Sequence, residues 1–102
     1  MGTKFNSQIC TSKAQSERLL ALGLKKETAD FPVWGTEGLL YMAWSLHRLI
    51  EMMPCDIEIS GMWVYANRSY QFMEKDNVFD NLIDLMESII KEGYFNKEYL
   101  EE

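Results

Sequence analysis

His47 is the lone histidine of this 102-residue sequence, and Cys55 lies a short way downstream of it. Together they are the only nearby residues whose types suggest nucleophilic catalysis, with an imidazole withdrawing the proton of a thiol. Such a pair works only within hydrogen-bond reach and with a third group orienting the base. Pro54 redirects the chain between the two, and no orienting residue or oxyanion-hole motif accompanies them. An ordinary surface histidine and a half-buried thiol are therefore expected, with a small enzyme using His47 and Cys55 as the rival class. One histidine and two distant cysteines, Cys10 and Cys55, lack the ligand spacing of a metal site. There is no glycine-rich phosphate loop either. Neither metal nor cofactor is expected.

Two further groups of side chains suggest binding rather than catalysis. Asp80, Asp84 and Glu87, preceded by Asp76, recur at helical spacing and form an acidic ridge. A ridge of this kind either mimics nucleic-acid phosphates toward a basic partner or is a solvated helix face. Like charges one turn apart cost only about 0.2–0.5 kcal/mol per pair, so solvation alone explains them. On that reading, neutralising the three carboxylates leaves stability almost unchanged. Trp63 and Tyr65, with Tyr70 and Phe72, fall on an expected hairpin. Aromatic mass there is more often core, but Trp63 and Tyr65 become a contact patch if they face away from the helices.

Composition narrows the classes. The sequence is 47% hydrophobic and 25% charged, the balance of a globular chain, and its length suits one domain spanning 1–102, with residues 1–8 polar and expected to be mobile. Residues 1–73 are charge-balanced, so the whole net charge of −6 falls in residues 74–102. An acidic chain without a Lys/Arg cluster is repelled by a phosphate backbone, and direct nucleic-acid binding is not expected. No apolar run is long enough to cross a bilayer, and the start lacks the apolar core of a signal peptide. Sparse, widely spaced cysteines fit a reducing compartment, and a cytoplasmic location is expected.

These residues must be positioned by elements that the pattern defines. Ser12 and Gln15 form a capping box that opens a helix over about Lys13–Leu22, burying Leu19, Leu20 and part of Ala14 and Leu22. Gly23 should end it, with Leu24 folding back. Lys25 to Asp30 adds a helical turn. Phe31 to Trp34 reads as a strand because Pro32 biases Phe31 toward extended geometry. Gly35 to Gly38 is turn material, and Leu39 to Ala43 returns as a second strand if Ser45 caps the next helix. That helix has Leu46, Leu49, Ile50 and Met53 on its inner face, Trp44 as a staple on Leu49, and Pro54 as its stop. The rival reading caps at Thr36 and runs one long helix through Leu39, Ala43, Leu46, Ile50 and Met53. Beyond Pro54, Ile57/Ile59 and Trp63/Tyr65 alternate as a strand with a bulge at Gly61, and Tyr70/Phe72 return after a loop at residues 66–69. Asp76 or Asn77 caps a final helix with Val78, Phe79, Leu82, Ile83, Met86, Ile89 and Ile90 inward and Gly93 at its end. Tyr94, Phe95, Tyr99 and Leu100 fold back, with Asn96 capping a last turn.

Several segments together resemble one family. They are Ile9-Cys10-Thr11-Ser12-Lys13-Ala14-Gln15-Ser16, Leu22-Gly23-Leu24, Glu27-Thr28-Ala29-Asp30, Ala43-Trp44-Ser45-Leu46 with Met53-Pro54, and Asp80-Asn81-Leu82-Ile83-Asp84 through Lys91-Glu92-Gly93-Tyr94. The chain is similar, over most of its length, to small uncharacterised proteins of gut-bacterial genomes and their phages and prophages. Members often carry a proline just ahead of the Trp-Ser-Leu segment, where this chain has Met42, and many have a longer segment after Thr-Ala-Asp. A proline there favours a helix starting at Ser45; its absence here keeps the Thr36 start open. The resemblance implies an accessory protein of a phage or mobile element and brings no mechanism. The expected fold is α+β, a small antiparallel sheet of two to four strands with about three helices on one face. The expected function is a non-enzymatic protein-interaction module with a protein partner.

Overall fold

Ser12 opens the first helix as its spacing requires. The computed structural model describes residues 8–54, 57–60, 63–66, 70–72 and 75–101, and only the backbone of 60, 63, 65, 66 and 70–72. In helix α1 (Lys13–Ala21) the Ser12 hydroxyl accepts from the Gln15 amide, and the Gln15 side chain accepts from the Ser12 amide. Gly23 follows at φ 106°, a left-handed conformation that suits glycine, and Leu24 turns back into the core. A short helical turn, Lys26–Thr28, leads to strands β1 (Phe31–Gly35) and β2 (Gly38–Ala43), which pair antiparallel around Thr36 and Glu37. Leu40 is the extra residue where the register shifts.

Helix α2 (Leu46–Met52) starts at Ser45, whose hydroxyl accepts from the Arg48 amide. Thr36 lies instead in the hairpin turn, so the long-helix reading is excluded. Trp44 and Leu49, at the two staple positions, are both fully buried in one cluster. Met52, outside the expected stripe, is buried too, while Leu46 and Ile50 are half-buried.

After α2, β3 (Ile57–Ser60), β4 (Trp63–Ala66) and β5 (Tyr70–Phe72) form an antiparallel sheet in the order β3-β4-β5. Ser60 pairs with Trp63, so the chain reverses between them, and the expected single strand bulged at Gly61 is two strands. Gly61 itself lies outside the described residues. The interrupted alternation that suggested a bulge also fits a two-residue reversal, and only pairing tells them apart. The α+β class holds, with the five strands found among the described residues shared between this sheet and the β1–β2 hairpin.

Helix α3 (Val78–Lys91) is capped by Asn77, whose side chain accepts from the Asp80 amide, and it packs across β4 and β5. Its buried set includes the expected Phe79, Leu82, Ile83, Met86 and Ile89, and adds Leu85 and Asn81. Asn81 is buried because its amide grips the chain before the helix: its Oδ1 accepts from the Lys75 N–H, and its Nδ2 donates to the Lys75 carbonyl. Phe95 is buried and Tyr99 and Leu100 half-buried, but Tyr94 is exposed. Asn96 caps the last turn, Lys97–Tyr99. That turn joins the body where Lys25 N–H donates to the Tyr99 carbonyl and Glu101 N–H to that of Gly23.

In α1 only Ser16 and Leu19 are fully buried; Leu20 and Ala14 are exposed. The reason is that α1 meets α3 through polar side chains, so one narrow strip suffices for its apolar contact. Gln8, the last residue of the expected mobile start, is tied to this junction: it donates to Gln15 and to the Cys10 carbonyl, and accepts from Asn77. The rest of that start, residues 1–7, lies outside the described residues.

Ser45 also donates from its hydroxyl and its amide to the two carboxylate oxygens of Asp30. Ser45→Ala should cost about 1–2 kcal/mol, the upper range for a cap, because the Arg48 amide and Asp30 both lose a partner. Thr36→Ala, in an exposed turn, should stay within about 0.5 kcal/mol. Chemical denaturation of both variants checks the order.

Candidate functional site

A two-stranded hairpin cannot bury both of its faces, and the β1–β2 hairpin leaves apolar side chains uncovered. Trp34 is 66% exposed, Leu40 63% and Leu39 50%. Trp34 and Leu39 are cross-strand partners, so they share a face, and Leu40 is displaced by the bulge beside them. Leu40 lies across the end of β1: a Cβ on Gly35 would sit 2.9 Å from its Cδ2.

Behind this rim, α1 and β2 enclose a cleft of about 280 Å³. Its apolar walls are Leu20 from α1 and Leu40, Tyr41 and Met42 from β2, with Trp44 at the back. Lys13, Glu17 and Lys26 supply charge around it. The hydroxyls nearby are engaged. Ser16 donates to the Ser12 carbonyl and bonds Thr11, and Tyr41 donates to the Thr11 carbonyl. Burial, and then the nearby Cys10, raises the Tyr41 hydroxyl above its ordinary range. The arrangement offers apolar contact with a charged margin, and no base–nucleophile pair.

The residues singled out for catalysis do not line this cleft as it is described. His47 is exposed in the first turn of α2, and Cys55 lies outside the described residues. Cys10 is half-buried; burial and then the charge of Asp30 raise its thiol pKa, which disfavours the reactive thiolate. Among the described residues no group of three or more His, Cys, Asp or Glu side chains could hold a metal ion. Trp63 and Tyr65 lie on β4, but their side chains are outside the described residues.

The acidic ridge differs most from a solvated face. Asp80 accepts from Gln15, Asp84 from Arg18 at 2.6 Å and from Lys75 at 2.9 Å, and Glu87 from Arg18 at 2.7 Å. Lys91 pairs with Glu87 one turn on. The ridge is thus the seam joining α1 to α3, and the side chain of Asp84 is only 13% exposed. Burial works to raise the Asp84 carboxyl, but the hydrogen bonds and charges of Lys75 and Arg18 outweigh it and hold it below the usual carboxylate range. Hydrogen bonds from Arg18 and then Lys91 lower Glu87 as well. Neutralising the carboxylates should therefore destabilise the fold rather than leave it almost unchanged, as expected from sequence. Arg18 carried no signal beyond being a lone arginine on a short helix. The exposed hairpin had one: adjacent apolar residues, Leu39 and Leu40, in a strand whose pairing uses up only one neighbour.

Arg18→Met should cost about 1–2 kcal/mol near neutral pH, between the values of an exposed and a buried pair. Because Asp84 and Glu87 titrate lower when folded, their contribution is present above the unfolded carboxylate pKa of about 4 and is lost as pH falls through the folded values. The stability gap between wild type and Arg18→Met should accordingly narrow in acid, measured by urea denaturation across pH.

Set beside known proteins, the chain matches no family model, no curated protein and no solved structure.

Proposed function

We propose that the chain is a non-enzymatic protein-interaction module, an accessory protein of a phage or mobile element working in the cytoplasm, and that it binds through the β1–β2 hairpin. The observation that carries this reading is the exposed trio Trp34, Leu39 and Leu40 beside an apolar cleft. Large apolar side chains exposed together on one hairpin are costly in water, and grouping of this kind is characteristic of interaction sites. Tryptophan is also the residue most enriched among strong interface anchors. The resemblance to phage and prophage proteins supports the accessory role. The net charge of −6 argues against a nucleic-acid partner. No helix among the described residues is long and apolar enough to cross a membrane.

An acidic mimic acting through Asp80, Asp84 and Glu87 would need free carboxylates, and Arg18, Lys75 and Lys91 engage two of the three as ion pairs. For the enzyme reading, His47 is exposed in the first turn of α2 and Cys55 lies outside the described residues.

A photo-crosslinking amino acid placed at Thr36, exposed in the hairpin turn, tests the reading in cells. A discrete protein adduct is expected. It should vanish on Trp34→Ser with Leu40→Ser and persist on His47→Ala with Cys55→Ala. Absence of any adduct, or one indifferent to the hairpin substitutions, would refute the proposal.

A further inference from the structure

The cleft between α1 and β2 lies on the other side of the hairpin from Trp34. Strand alternation, and the packing of Leu40 against Gly35, turn the cleft residues Leu40 and Tyr41 away from Trp34 and Leu39. The hydroxyls and the ring N–H in its walls are already engaged within the fold. Ser16 bonds Thr11 and the Ser12 carbonyl, Tyr41 donates to the Thr11 carbonyl, and the Trp44 indole donates to Thr28. A polar body placed there would lose its water and gain no partner, so the walls suit an apolar one against Leu20, Leu40 and Met42. Volume limits its size. About 280 Å³ falls just under the roughly 300–1,000 Å³ of drug-sized sites. At about 30 Å³ per water the cleft holds on the order of nine waters, the room that roughly eight to ten carbons fill.

The margin has a sign. Lys13 and Lys26 stand there against one carboxylate, Glu17, so the rim is net positive on a chain whose net charge is −6. Among the described residues no ion pair takes up either ammonium, although Glu17 is one turn from Lys13. Lys13 also occupies the first turn of α1, where no acidic residue stands and the helix dipole disfavours a cation. An anion at the rim would satisfy both lysines and suit the dipole.

We propose that the cleft binds a small carboxylic acid with an apolar body, the hydrocarbon lying against Leu20, Leu40 and Met42 and the carboxylate held at the rim by Lys13 and Lys26. A medium-chain fatty acid has this chemistry. The site is separate from the surface around Trp34 and does not rest on the hairpin-binding reading.

Titration of the full chain with octanoate, followed by nuclear magnetic resonance, tests it. The methyl signals of Leu20, Leu40 and Met42 and the indole of Trp44 should shift saturably, with a Kd on the order of 0.1–1 mM. Octanamide should bind about tenfold more weakly, and acetate and octylamine should leave these signals in place. Lys13→Glu with Lys26→Glu, at exposed positions, should reverse the preference from octanoate to octylamine while circular dichroism shows an unchanged fold. Leu20→Trp, which fills the cleft from an exposed helix position, should abolish binding of both. Absence of saturable shifts with octanoate, equal binding of octanamide or octylamine, or a preference indifferent to the lysine substitutions overturns the proposal. So does a cleft whose signals respond only to the protein captured at Thr36, which would make it a protein contact. Trp34 takes no part in the titration, so a negative result here leaves the interaction module standing.

Discussion

The burial of Trp44 with each of its polar atoms paired is the constraint on which the rest of the molecule depends. The side chain is fully buried, and its Nε1–H donates to the Thr28 hydroxyl at 3.0 Å. Its backbone N–H donates to the Thr11 hydroxyl, and its carbonyl accepts from the Thr11 amide. Thr11 is bonded in turn to Ser16, and Thr28 donates to the Lys25 carbonyl. Leaving one such group unpaired in the interior costs about 1–3 kcal/mol, so this one residue, through its indole and its backbone, ties together the start of α1, the Lys26–Thr28 turn and the start of α2. Among the described residues no buried side-chain nitrogen or oxygen lacks a partner. Asp30 and Ser45, immediately beside this knot, set the angle at which the hairpin meets α2.

A second constraint is electrostatic. A chain that places all of its excess negative charge near its end must hold a carboxylate-rich helix against the body without a large repulsive cost. It does so by presenting Arg18 from α1 to Asp84 and Glu87 at once and by folding Lys75 back onto Asp84. The apolar side of α3 then covers the three-stranded sheet, while its acidic side receives α1. The helix is clasped on two sides, which is why Asn81 and Leu85 are as buried as its expected apolar stripe.

These two constraints leave the hairpin over. Trp44 anchors its base, and α1 covers part of β2, but no described element lies over Trp34, Leu39 or Leu40. Stability is drawn from the buried cluster on the far side of the knot, so the hairpin is free to present apolar surface outward. Rigid support beneath an exposed anchor suits binding, since little ordering entropy is then lost on contact.

Local chemistry was enough for much of the fold. Capping by Ser12, Ser45 and Asn77, the terminations at Gly23 and Gly93, and the amphipathic face of α3 are short-range, because a cap and its amide lie within one turn of chain. The β1–β2 hairpin was legible for the same reason, through Pro32 and the Gly35–Gly38 turn. Pairing was not: the reversal between Ser60 and Trp63 and the bulge at Leu40 depend on which strand lies alongside, and a run of alternating residues carries no record of its neighbour. The candidate site was missed on the same ground. Whether Leu40, Leu20 and Trp34 are core or surface depends on what packs over them. Whether Asp84 is solvated or clamped depends on an arginine 66 positions earlier in the chain. Sequence sets the local turns of this protein; only the tertiary structure, by choosing which faces meet, decided that its acidic ridge is a seam and its hairpin an open surface.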